Sequence, residues 1–94
     1  MKKEIVSGTG PAADTSVDAT SPANIDIPLA PTKGNKILEI IALKEISGLP
    51  DKVVLAGFTF PDATTCRLRV FNTDSAAVTI TANSVTVKAY AKVL

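Results

Sequence analysis

Between Thr65 and Leu94 the chain alternates apolar and polar residues, broken by one polar turn, Asn72-Thr73-Asp74-Ser75. Cys66, Leu68 and Val70 share one side, and Arg67 and Arg69 share the other. Further on, Val85, Val87, Ala89, Ala91 and Val93 oppose Ser84, Thr86, Lys88, Tyr90 and Lys92. Strict period two is the mark of β-strands with one buried and one solvated face. A chain that ends this way folds around a sheet.

The preceding segments extend that pattern. Ile25, Ile27 and Leu29 alternate with Asp26 and Pro28, which reads as an edge strand because proline has no N–H for a central ladder. Pro31 to Asn35 reads as a turn. Residues 36–46 (KILEIIALKEI) carry two signals. Ile37, Ile40, Ile41 and Lys44 have helical spacing, whereas Ile37, Glu39, Ile41, Leu43 and Glu45 alternate with Leu38, Ile40 and Ala42. The neighbouring strands favour a strand here, and two apolar faces suit a central one buried on both sides. Residues 52–60 form a strand with a bulge at Gly57, and Pro61-Asp62-Ala63 turns the chain. Parity flips between Val78/Ile80 and Val85/Val87, so Ala82-Asn83-Ser84 is a bulge or a hairpin turn. The fold class is all-β: a small antiparallel sandwich or barrel of about six to eight strands.

Residues 7–23 break the pattern. They are Ser, Gly, Thr, Pro, Ala and Asp almost throughout, with Val17 the one large apolar side chain. Such a stretch buries too little surface to offset its ordering entropy. It reads as an extended N-terminal arm over residues 1–23 joined to a β-sandwich domain over 24–94, with Ile5-Val6 able to dock as a short strand. Ser7-Gly8-Thr9-Gly10 lacks the Gly-Lys-Ser/Thr ending and following helix of a phosphate loop, and reads as flexible linker.

Composition then bounds the chemistry. The 94 residues make one domain, and with 46% hydrophobic but only 4% aromatic residues the core must be aliphatic. No histidine is present, which removes imidazole acid–base pairs and imidazole metal sites. The one cysteine, Cys66, lies on an apolar strand face and reads as a buried, inert thiol. Asp14, Asp18 and Asp26 could bind Ca²⁺ loosely but lack EF-hand spacing. The expectation is no cofactor, no metal and no enzymatic activity. A net charge of +1 gives no field to draw nucleic acid or an anionic membrane, and neither is expected as a partner. Glu4 and the Ser7–Pro11 stretch interrupt any signal peptide after Met1-Lys2-Lys3.

Three features are candidate partner-binding surfaces. Ile5 and Val6 could anchor the arm. Arg67 and Arg69 would form a basic patch with Lys88 and Lys92 if their strands paired. Phe58 and Phe60 pack in the core, unless Val53 and Leu55 mark the core face and leave the two rings as an exposed patch.

Residues 36–94 also carry a sequence of pieces: Ser47-Gly48-Leu49-Pro50, Val53-Val54-Leu55, Leu68-Arg69-Val70-Phe71-Asn72, Ser75-Ala76-Ala77-Val78-Thr79-Ile80 and Val85-Thr86-Val87. This order of strands and turns resembles that of small bacteriophage virion proteins. The resemblance implies a β-sandwich subunit of a virion, most often a capsid decoration or cement protein, and it carries over no functional residue. On it rest the expected location in a virion assembled in the host cytoplasm, the expected partner (the major capsid protein or another virion protein), and a homo-oligomer, with a trimer favoured. A tail, neck or fibre-associated domain is the second reading. A carbohydrate-binding or adhesion module is the third, in a chain poor in the aromatics that stack on sugars.

Overall fold

The computed structural model describes residues 2–31 and 33–94. Met1 and Thr32, placed above in the arm and in a turn, lie outside them. The described chain forms nine strands: β1 (Lys2–Gly10), β2 (Thr15–Val17), β3 (Pro22–Pro28), β4 (Ala30–Pro31), β5 (Ile37–Ser47), β6 (Val53–Asp62), β7 (Thr65–Asn72), β8 (Val78–Ile80) and β9 (Val85–Val93). A four-stranded sheet in the order β4-β1-β9-β5 faces a three-stranded sheet in the order β3-β7-β6. All pairings are antiparallel. The short ribbon of β2 and β8 bridges the end where β1 finishes and β9 starts in one sheet and β3 starts and β7 finishes in the other. The all-β sandwich expected from the periodicity is the fold observed.

The core lies between the sheets and is aliphatic. From the three-stranded side come Ile25, Ile27, Cys66, Leu68 and Val70; from the four-stranded side come Val6, Val85, Val87, Ala89, Ala91 and Val93. The period-two reading of β7 and β9 therefore holds residue for residue. β3 is an edge strand, as its prolines require.

The N-terminal segment is not an arm. β1 pairs along its whole length with β9, from Lys2 opposite Val93 to Gly10 opposite Val85, and sits inside its sheet between β9 and β4. Its inward face is Val6, Gly8 and Gly10. The two glycines are the physical reason a linker-like composition makes a core strand. A Cβ on Gly8 would collide with the Pro28 carbonyl, and one on Gly10 would sit 2.6 Å from Ile27 Cδ1. Bare backbone lets β1 lie directly on β3 and closes that side of the sandwich. Ser7-Gly8-Thr9-Gly10 is thus half of a strand rather than a flexible linker.

β5 is a strand, but an edge strand with an unusual register. Ile37, Ile40, Leu43 and Ile46 align with Val93, Ala91, Ala89 and Val87. Inward residues spaced three apart on β5 meet partners spaced two apart on β9, so each repeat must accommodate one extra residue. Register shifts fall between Ile37/Glu39, Ile40/Ala42 and Leu43/Glu45, leaving Leu38, Ile41 and Lys44 without a partner on β9. Of the residues with helical spacing, Ile37 and Ile40 face inward, while Ile41 and Lys44 are among the extra residues of a repeatedly bulged strand. The bulge foreseen at Gly57 is present, with a register shift between Leu55 and Gly57 in β6. Ala82 to Ser84 form a tight turn with Asn83 at φ 58°, but not a hairpin, because β8 pairs with β2 and β9 belongs to the other sheet.

Candidate interaction surfaces

The outer face of the three-stranded sheet gathers the polar side chains of three strands. Asp26 on β3, Arg67 on β7 and Thr59 on β6 stand in one cross-strand row; Asn24, Arg69 and Gly57 stand in the next. Arg67 donates from Nε to Asp26 Oδ1 at 2.8 Å and from Nη2 to Oδ2 at 3.1 Å, a two-pronged pair that fixes both side chains. Arg69 donates from Nη1 to Asn24 Oδ1 at 3.4 Å. Because Gly57 has no side chain, the sheet is hollowed there into a shallow groove of ≈ 390 Å³ between Phe58, Thr59 and the two arginines. A second hollow of ≈ 590 Å³ flanks β3, between Arg67 and the Pro11–Thr15 segment.

The hydrogen bond from Arg67 holds the Asp26 carboxyl below the ordinary carboxylate range, against the opposing effect of burial, and Asp26 in turn raises the Arg67 guanidinium. At the β6–β7 turn, the Thr64 N–H donates to Asp62 Oδ1 at 2.9 Å and depresses that carboxyl too. Burial pushes the Cys66 thiol up to about 11, so it stays a protonated, poorly nucleophilic group at neutral pH. Asp14 accepts the Ala82 N–H at 2.8 Å and Asp26 is occupied by Arg67, so two of the three acidic residues considered for Ca²⁺ are engaged separately. Among the described residues no group of three side chains is placed to hold a metal ion.

The four-stranded sheet presents a different outer face. Rows run Lys3–Lys92–Glu39, Ile5–Tyr90–Ala42 and Ser7–Lys88–Glu45 across β1, β9 and β5. Lys88 pairs with Glu45 at 3.2 Å and Lys92 approaches Glu39 at 3.9 Å. The basic patch envisaged from sequence does not form: β7 and β9 lie in different sheets, so Arg67 and Arg69 face away from Lys88 and Lys92. Asp26, Glu45 and Glu39 stand against Arg67, Lys88 and Lys92 in exposed ion pairs.

The other candidates separate as follows. Val6 is fully buried and unavailable to a partner, while Ile5 is exposed beside Tyr90 on the outer face. Phe60 is half-buried against the core, and its ring meets Phe58 edge-on at 5.8 Å. Phe58 lies opposite Leu68, on the core side of β6, yet remains 44% exposed. Leu55, opposite Val70, is likewise on the core side and exposed. β5 and β6 are the free edges of the two sheets on this side, and β6 leaves these core-side residues incompletely covered. Leu38 and Ile41 on β5 are exposed as well, and Val54, opposite Phe71, is exposed on the outer face of β6.

Sequence reasoning missed one polar residue altogether. Asn72 is fully buried, and its side-chain amide donates to the carbonyls of Val17, Asp18 and Ala76 at 3.0–3.2 Å while its oxygen accepts the Asp74 N–H at 2.9 Å. It ties the end of β7 to the loop after β2 and the loop before β8. The available signal was its even parity with Cys66, Leu68 and Val70, which places a polar side chain on the core face.

Comparison with protein-family models, curated proteins and solved structures finds no match for this chain.

Proposed function

We propose that this chain is a non-enzymatic structural subunit of a bacteriophage virion, docked on the outside of the capsid as a decoration or cement protein and acting as a homo-oligomer. The observation that carries the reading is the seam between β5 and β6, where an otherwise closed sandwich leaves core-side residues Leu55 and Phe58 at the surface. Apolar side chains left exposed at core-side positions support a surface that is covered in the working assembly. The strand-and-turn order of residues 36–94 supports the same reading through its resemblance to virion proteins. The sandwich supplies rigid area, and its polar outer faces supply the rims that such contacts need. A docking arm has no part in this, because the N-terminal segment is built into the sheet.

The test is quantitative mass spectrometry of purified virions from the phage that carries the gene. Copy number close to that of the major capsid protein supports the capsid reading. A few copies per particle would transfer the protein to the tail or neck, and absence from purified particles would refute a virion role.

A further inference from the structure

We infer that the hollow over Gly57, on the outer face of the three-stranded sheet, is a binding site for a small monocarboxylate with an apolar body, its carboxylate held by the Arg69 guanidinium.

The chain has five glycines, and the fold demands four of them. Gly8, Gly10 and Gly48 are fixed by the close approach of other atoms, and Gly34 and Gly48 by a positive φ. Gly57 is fixed by neither. Its φ is not positive, and a Cβ placed on it would meet nothing within 4 Å. Glycine weakens the interior of a strand and often marks a place where a ligand comes close. The absent side chain leaves a groove of ≈ 390 Å³, a size at which small molecules are held.

The two arginines that line this groove are not equivalent. Arg67 is tied to Asp26 at two points. Arg69, one row along β7, meets no carboxylate among the described residues; its hydrogen bond is the 3.4 Å donation from Nη1 to the neutral Asn24 side chain. Asn24 stands opposite Arg69 on β3 and Gly57 stands opposite it on β6, so the hollow lies on the far side of Arg69 from Asn24. A guanidinium has five N–H donors in a planar fork, and a parallel pair of them matches the two oxygens of a carboxylate.

The surroundings narrow the class of ligand. The Arg67–Asp26 pair is neutral in itself, and Asp62 stands one row beyond it on β6. A second negative charge on the ligand would find carboxylates there and no second free cation, which favours a monoanion over sulfate or a phosphate dianion. Phe58 borders the groove, and the next row of the sheet, Pro22–Phe71–Val54, is apolar. A carboxylate seated on Arg69 can therefore lay its hydrocarbon on exposed apolar surface at Phe58 or Val54.

The experiment is an NMR titration of the full chain at pH 7 and low salt, following backbone amides. The ligand is 3-phenylpropionate; acetate, 3-phenylpropylamine and sulfate are run beside it. Saturable shifts are expected at residues 57–59 and 67–69, with a dissociation constant of about 1 mM or tighter. Acetate should bind several-fold more weakly, and the amine should leave these amides unmoved. Arg69→Gln should reduce affinity for 3-phenylpropionate by at least about tenfold, the scale of a hydrogen bond to a charged group. Gly57→Val, which fills the hollow without meeting other atoms of the fold, should do the same. Lys88→Gln, on the other sheet, should change nothing. Absence of saturable shifts at about 20 mM ligand, far above that constant, would overturn the inference. An equal response to the amine would reduce the site to apolar adhesion, tighter binding of sulfate would make it a general anion surface, and undiminished binding by Arg69→Gln would remove its central group; each refutes the assignment. If the amide spectrum of Gly57→Val shows an altered fold, Arg69→Gln decides alone.

Discussion

Replacing Asn72 by Asp changes one NH₂ group to an oxygen and leaves the side chain's shape intact. In the folded protein the two N–H bonds of that group are shared among three backbone carbonyls, and it is fully buried. The substitution removes every one of those donations and aims a carboxylate at the oxygens that received them. An unpaired buried polar group costs about 1–3 kcal/mol, and an uncompensated buried charge about 3–5 kcal/mol. A loss of about 4 kcal/mol is therefore expected at pH 7. For a domain of this size each kcal/mol moves the melting temperature by about 4–8 °C, giving a drop of about 15–30 °C. Asn72→Ala leaves the carbonyls unpaired but adds no charge, so about 2 kcal/mol is expected. The pH dependence is distinctive. The new carboxyl has a folded pKa raised above its unfolded value of about 3.9, so its penalty is greatest above the folded pKa and shrinks as pH falls. Thermal melts followed by circular dichroism, with both variants and the unmodified protein compared at pH 7 and pH 4, give the answer. An Asn72→Asp protein that melts like the unmodified one at pH 7 would refute the assignment of the amide nitrogen to the three carbonyls.

Four further outcomes are expected. Deleting residues 1–10 should abolish cooperative unfolding in calorimetry, because it strips β1 from the interior of its sheet and opens the core at Val6. Leu68→Asp should prevent folding by placing an unpaired charge at a fully buried site, whereas Arg67→Ala should fold and lose at most about 1 kcal/mol, since its ion pair with Asp26 is solvent-exposed; chemical denaturation separates the two. Stability should be nearly flat from pH 6 to 8 in a chain without histidine and should fall below about pH 4; Asp26 and Asp62 are depressed in the fold, so the unfolded chain takes up protons first on acidification, which thermal melts across pH 2–8 would register. Cys66 should react with a disulfide reagent at pH 8 only as fast as the protein opens, and a burst of labelling in native buffer would contradict its burial.

The parts of the fold that were legible from sequence are those where apolar side chains recur at the inward positions. β7 and β9 satisfy that from Cys66 to Val70 and from Val85 to Val93, and the inward polar Asn72 at the end of β7 is the core residue that escaped the pattern. β1 does not satisfy it. Its inward positions after Val6 are two glycines, and what covers them is the backbone of β3, a tertiary contact that composition cannot display. β5 carried both a helical and a strand signal, and the strand favoured by its neighbours is what forms; its place at the sheet edge, with one extra residue per repeat, is set by β9 beside it and was not legible. For the surfaces, sequence identified outward residues but not sheet membership. Arg67 and Lys88 both face solvent, yet β7 and β9 lie in opposite layers, so the patch inferred from parity is split between two faces, each with its own ion pair. Phe58 was recognised as either core or surface, and it is both: a core-side residue at an uncovered edge.

The pairing of β1 with β9 also sets an order of events in the cell. β9 is the strand that joins β1 to β5, so the four-stranded layer has no hydrogen-bonded centre until nearly the whole described chain has been synthesised. The β6–β7 hairpin and its partner β3 can assemble earlier, with Ile25, Ile27, Leu68 and Val70 open to solvent on one side. At about 5–20 residues per second, β1 waits roughly 4–15 s for the strand that captures it. For that interval the nascent chain carries a naked apolar sheet, β1 with only the two-residue β4 beside it, and an unpaired β5. Contacts this distant in sequence also close slowly once the chain is complete. Yield on expression should therefore be set by the competition between capture by β9 and self-association of the half-built sandwich, and slower, cooler synthesis or a holding chaperone should favour the first.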